Sequence, residues 1–117
     1  MRIVLKKKNK YNAKKITYDG ETFDSAKEAK RWSELRLMEA AGLITDLRRQ
    51  VPFCLVPAQK GGIRSEKAVY YKADFVYMSR DLLGEEMIIE DVKGFRTPEY
   101  KIKRKLMKLY GHEITEV

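Results

Sequence analysis

Cysteine, histidine and proline are scarce: the 117 residues include one cysteine, one histidine and three prolines. Cys54 has no internal partner for a disulfide, and one cysteine with one histidine cannot supply the four ligands of a structural zinc site. That usage fits a reducing interior. Long apolar runs are missing too. Ile3-Val4-Leu5, the only such run near the start, is too short for a secretory core or a bilayer span. The expectation is a cytoplasmic protein with no membrane partner. Glycines are few, and Lys60-Gly61-Gly62 reads as a turn rather than a phosphate-cradling loop. Acids are absent before Asp19, so Arg2, Lys6, Lys7, Lys8, Lys10, Lys14 and Lys15 form an unopposed basic segment.

What is present is cationic. The formal net charge is +8 and the isoelectric point is near 9.6. An excess of that size on a small chain favours a polyanionic partner, of which nucleic acid is the commonest. A merely soluble basic protein is the bland alternative. With 44% hydrophobic residues, the chain supports one core, expected over residues 16–117. Residues 1–15 lack a sustained apolar pattern and read as a flexible basic arm.

Local chemistry marks the elements in turn. Asp19-Gly20 tolerates positive φ at both positions and predicts a hairpin between Ile16-Thr17-Tyr18 and Thr22-Phe23. Ser25-Ala26-Lys27-Glu28 has the form of a capping box, and Gly42 suits a left-handed helix end. Between them Ala29, Trp32, Leu35, Met38 and Ala41 recur at helical spacing. Glu28 lies four residues before Trp32, on or beside that inward face. It is either a cap or a site residue. Residues 44–56 read as a strand with Leu47, Val51, Phe53 and Leu55 on one face and Gln50 and Cys54 on the other, while Pro52 and Pro57 suit an edge. Two further strands, Val69 to Tyr77 and one centred on Met87 to Val92, would pair as a hairpin across Ser79 to Glu86. Thr97-Pro98 opens a second helix with threonine as cap and proline at its first position. Its expected inward stripe is Ile102, Leu106 and Leu109, with Lys101, Arg104, Lys105 and Lys108 opposite. Gly111 closes it, and Glu113 to Val117 reads as a last strand. The order is hairpin, helix, three strands, helix, strand: a mixed α/β arrangement in which a crossover helix allows parallel pairing.

The stretch Glu90-Asp91-Val92-Lys93-Gly94 stands out against this background. Strand alternation sends Asp91 and Lys93 to one face and Glu90 and Val92 to the other. An acid and an amine side by side at a strand end can bind a divalent metal and handle a water. Asp74 supplies a second acid among apolar neighbours. The structural alternative is an ion pair of Asp91 with Lys93 and a solvated Asp74 at a register break.

Glu28, Asp74 and Asp91-Val92-Lys93 resemble the PD-(D/E)xK nuclease superfamily. Lys10-Tyr11-Asn12-Ala13-Lys14-Lys15, Phe23-Asp24-Ser25, Tyr71-Lys72-Ala73-Asp74-Phe75-Val76-Tyr77 and Glu90-Asp91-Val92-Lys93-Gly94 look like a family of small phage and prophage proteins. That family is catalogued as a domain of unknown function and grouped with these nucleases. Ala73 stands where the superfamily motif has proline. The resemblance implies a restriction-endonuclease-like core, a central mixed sheet flanked by helices in αβββαβ order. It implies Mg2+, with Mn2+ able to substitute, held by Asp74, Asp91 and the Val92 carbonyl. Glu28 would serve a second metal or a water, Lys93 would be catalytic, and Gln50 and Glu90 would be peripheral. The implied activity is a metal-dependent DNA endonuclease of phage origin. Branched DNA or a Holliday junction is the expected substrate, because so small a chain has little surface for sequence reading. Phosphates would run along Lys6, Lys7, Lys8, Lys10, Lys14, Lys15, Lys101, Arg104, Lys105 and Lys108, and a homodimer would address two strands. A non-catalytic DNA-binding protein of the same fold, or an exonuclease or end-cleaving nuclease, are the competing expectations.

Overall fold

The computed structural model describes residues 3–8 and 14–117, with side chains from Lys15 onward. Its elements are β1 (Ile3–Lys8), β2 (Lys14–Tyr18), β3 (Glu21–Phe23), α1 (Ala26–Ala40), β4 (Ile44–Val56), β5 (Val69–Asp81), β6 (Gly84–Asp91), α2 (Pro98–Leu109) and β7 (Ile114–Glu116). The chain divides into two units, Met1–Ile44 and Thr45–Val117, where the sequence suggested an arm and a single domain. The architecture is mixed α/β: a three-stranded sheet ordered β1-β2-β3, a four-stranded sheet ordered β4-β5-β6-β7, and two helices.

In the first unit, Asp19 (φ 54) and Gly20 (φ 79) both take left-handed backbone, and Tyr18 pairs with Glu21 across them. This two-residue turn matches the twist of the strands it joins. The basic segment expected to be a flexible arm contains a strand instead. Ile3, Val4 and Leu5 pair antiparallel with Tyr18, Thr17 and Ile16. The run is too short to be a membrane segment but has strong strand propensity, and β2 offers it an open edge. Lys10 lies outside the described residues, as do the side chains of Lys6, Lys7, Lys8 and Lys14.

Helix α1 begins as its sequence dictates, with Ser25 Oγ accepting from the Glu28 N–H at 3.1 Å. Its end is equally local. Leu43 N–H donates to the Met38 carbonyl and Gly42 N–H to that of Glu39, and Gly42 sits at φ 78. A residue with a side chain would be strained there. The buried face is Glu28, Ala29, Trp32 and Leu35, while Met38 is half-buried and Ala41 exposed. Trp32 meets Phe23 of β3 with ring centroids 6.3 Å apart.

In the second unit, β5 and β6 pair antiparallel from Phe75↔Glu90 to Asp81↔Gly84. The expected loop across Ser79 to Glu86 is therefore mostly ladder, closed by Leu82 and Leu83 alone. Asp81 makes the tight turn possible: its Oδ1 accepts from the Leu83 N–H at 2.8 Å, the aspartate mimicry of a backbone turn. Helix α2 then carries the chain over to β7, which pairs parallel with β6 through Ile89↔Ile114, Glu90↔Thr115 and Asp91↔Glu116. Thr97 Oγ1 caps α2 by accepting from the Tyr100 N–H at 3.1 Å, with Pro98 in the first turn.

The expected inward stripe of α2 needs correction. Ile102 is 60% exposed and Leu109 76%, whereas Tyr100 and Met107 are buried; Leu106 alone of the predicted three packs against the core. Two stripes were compatible with the helical period. The face with the aromatic ring wins because its hydroxyl finds a partner in Glu116. The core of this unit is Leu55, Tyr71, Ala73, Val76, Ile89, Tyr100 and Met107. A stability difference follows: Met107→Ala should cost about 2–5 kcal/mol in denaturant unfolding, as a cavity in a packed core does, while Ile102→Ala should stay within about 0.5 kcal/mol of wild type.

Candidate functional site

Strand β6 ends at Asp91, and two backbone bonds fix that end to β7. Val117 N–H donates to the Asp91 carbonyl at 3.0 Å, and Lys93 N–H donates to the Val117 carbonyl at 3.1 Å. A trans peptide holds its C=O and N–H antiparallel, and no described peptide is cis. The N–H and carbonyl of Val92 therefore both point away from β7, towards β5. There the Val92 N–H donates to Asp74 Oδ2 at 2.8 Å. The paired ladder of β5 and β6 ends one residue short of Asp74 and of Asp91, at Phe75↔Glu90.

Asp91 is 5% exposed, and each of its oxygens has a partner. Oδ2 accepts from the Tyr71 hydroxyl at 2.6 Å, and Oδ1 lies 2.9 Å from Lys93 Nζ. Lys93 also sits over the Tyr100 ring, Nζ 3.7 Å from its centroid. Gln50 reaches the same site from β4, with Nε2 3.4 Å from Asp74 Oδ1. Its backbone is left-handed, φ 53, in the middle of a strand. For a residue with a side chain that costs about 1–3 kcal/mol, and it interrupts the alternation that would otherwise set the direction of Gln50. Glu90 belongs to the opposite face, 1% exposed, where it accepts from the Tyr77 hydroxyl. Glu28 is buried on α1, in the Met1–Ile44 unit. The basic residues of α2 differ among themselves: Lys101 and Lys105 are exposed, Lys108 lies 3.7 Å from Glu113, and Arg104 lies 3.5 Å from Glu116. Lys15 is engaged with Asp24 at 3.1 Å.

Electrostatics follow from this packing. Burial pushes the Tyr71 hydroxyl well above its ordinary value, helped by the hydrogen bond to Asp91 and by the charges of Asp91 and Asp74, so Tyr71 remains a donor. Tyr100 is pushed up likewise, by burial first and then by its 2.6 Å bond to Glu116. Glu116 goes the other way, down to about 2, through its hydrogen bonds from Arg96 and Tyr100.

Two carboxylates and one amine stand together at one strand end of a basic chain. Among the described residues no three His, Cys, Asp or Glu side chains gather as an all-protein metal cage. Mg2+ does not require one. It keeps several waters and is commonly held through one or two carboxylates, and Asp74, Asp91 and the Val92 carbonyl, which points towards β5, are chemically suited to that. Tyr71, Tyr100 and Glu116 were not anticipated. A tyrosine within an apolar strand or at a helix start must place its hydroxyl somewhere, and that was the available signal.

A family model described as "Protein of unknown function (DUF1064)" matches residues 8–116. The chain belongs to this family. The DUF1064 match takes in both units, from the end of β1 to the end of β7, and so includes Gln50, Asp74, Asp91 and Lys93. No curated protein and no solved structure matches the chain.

The Glu116 cluster makes a pH prediction. A carboxylate lowered from 4.5 to about 2 adds stability that is complete above pH 4.5 and is lost as pH falls through 2. Wild type should therefore exceed Glu116→Gln in denaturant midpoint by a constant margin above pH 5. That margin should shrink between pH 4.5 and 2.

Proposed function

We propose that this DUF1064 protein is a metal-dependent DNA endonuclease that hydrolyses phosphodiester bonds, acting on branched DNA or Holliday junctions in phage recombination or replication, in the cytoplasm of the host. The observation that carries the reading is the bond from the Val92 N–H to Asp74. It ties the second acid to the strand end that bears Asp91 and Lys93, so two acids, a carbonyl and an amine converge on one short segment. The reading draws on the Thr45–Val117 unit, and it places this chain with the PD-(D/E)xK nucleases that its motifs resemble.

Asp74 and Asp91 would hold Mg2+ with the Val92 carbonyl. When bound, the ion lowers the pKa of a coordinated water and neutralises charge on the phosphate. The chain's own groups do the rest. Tyr71 orients Asp91 by occupying Oδ2, and Gln50 and the Val92 N–H orient Asp74. Lys93 offers a compact cation to the charge that builds on the phosphorus-bound oxygens, an electrostatic role that needs no proton transfer. Lys101 and Lys105 of α2 offer sequence-independent contacts to the phosphate backbone. No helix among the described residues is long and apolar enough to cross a membrane.

One observation favours a second reading, a non-catalytic DNA-binding protein. Every carboxylate oxygen of Asp74 and Asp91 already has a protein partner. Each oxygen has two lone pairs, so one protein partner does not by itself exclude an ion. Incubation with branched and linear DNA separates the two. Cleavage should need Mg2+ or Mn2+, stop with chelator, and fall by at least about 100-fold in Asp91→Ala and Lys93→Ala, with DNA binding in chelator retained. Binding of all substrates with no cleavage under any metal would reject the enzyme.

A further inference from the structure

We infer that Tyr100 is the positioning residue for Lys93: its ring face, with Asp91, fixes where the ammonium stands. The role rests on the nuclease reading. Lysine carries its charge on a flexible four-carbon stem, and a lone ion pair at a partly open site leaves that stem free to swing. Here an acid and a ring both meet the ammonium. Nζ is 2.9 Å from Asp91 Oδ1 and 3.7 Å from the Tyr100 ring centroid, and the Lys93 side chain is 17% exposed. The negative face of an aromatic ring attracts a cation, so ring and carboxylate together define one place for the charge.

The ring is itself held. Its hydroxyl donates to Glu116 Oε2 at 2.6 Å, and Glu116 is gripped by Arg96, through Nε at 2.9 Å and a terminal nitrogen at 2.7 Å. Arg104 adds a contact at 3.5 Å. The Tyr71 ring stands 6.4 Å away. Glu116 also pairs in register with Asp91. One short strand therefore aligns both the segment that carries the lysine and the carboxylate that holds the ring. Tyr100 is a positioning residue and not a catalytic one, because it acts through Lys93.

The test has a spectroscopic arm and a kinetic arm. An aromatic face shifts nuclei lying over it upfield, so the ε-methylene resonances of Lys93, assigned against Lys93→Arg, should lie upfield of the other lysines in the metal-free protein. Tyr100→Phe should keep the shift and stay within about threefold of the wild-type single-turnover cleavage rate. Tyr100→Leu should lose the shift and about tenfold in that rate, with DNA affinity in chelator within about twofold, since a merely structural loss would lower both. Tyr100→Met, whose longer, flexible chain adapts to the space without a ring, replaces the leucine variant if that one does not fold. Lys93 resonances at ordinary lysine positions in wild type, or a ringless variant cutting at the wild-type rate, would overturn the inference. Wild type that shows the shift yet cuts no DNA overturns the nuclease reading and with it the catalytic purpose of Tyr100, while the placement of the lysine stands.

Discussion

The bond between the Val92 amide and the Asp74 carboxylate is the constraint on which the site depends. An extended segment has two hydrogen-bonding edges, and at residues 91–93 one is taken by β7. The other turns towards β5 just where the described ladder of β5 and β6 stops, at Phe75↔Glu90. A side chain replaces the missing backbone partner, and that side chain is an acid. Backbone satisfaction and the gathering of charge are thus one event. The crossover through α2 matters for the same reason, because it delivers β7 parallel to β6 and fixes which edge of Val92 is left over.

Acids inside a basic chain need donors, and here tyrosine supplies them on both faces of the sheet. Tyr71 serves Asp91 on the side of α2, and Tyr77 serves Glu90 on the other. A tyrosine hydroxyl adds a hydrogen bond without adding charge, so it stabilises a carboxylate without neutralising it. Glu116 is treated differently: two guanidinium groups surround it, and its charge is spent on holding Tyr100.

How far the sequence could be read depended on how local the cause was. The turn at Asp19-Gly20, the caps at Ser25 and Thr97, and both ends of β4 were legible because each is set by residues within a few positions. The opposite faces of Glu90 and Asp91 followed from strand alternation alone. The strand at Ile3–Lys8 was not legible, since its stability comes from an edge that only the folded hairpin offers. The inward face of α2 is not legible in aliphatic spacing, because the hydroxyl of Tyr100 has its partner sixteen residues on. The direction of Gln50 depends on a left-handed residue inside a strand, which no alternation rule anticipates. The extra two pairs beyond Ser79 and Glu86 arise from a turn that Leu82 and Leu83 would not advertise.

The clamp on Glu116 changes how α2 looks from outside. A polyanion drawn to this helix does not meet every cation that the composition counts. Arg104 stands beside Glu116, Lys103 beside Glu99 and Lys108 beside Glu113, while among the described residues no carboxylate pairs with Lys101 or Lys105. Counterions condensed on a phosphate chain are released only by charges free to replace them. The salt dependence of any association along this face would thus report two lysines and a few partly masked neighbours, a much gentler slope than the formal charge suggests.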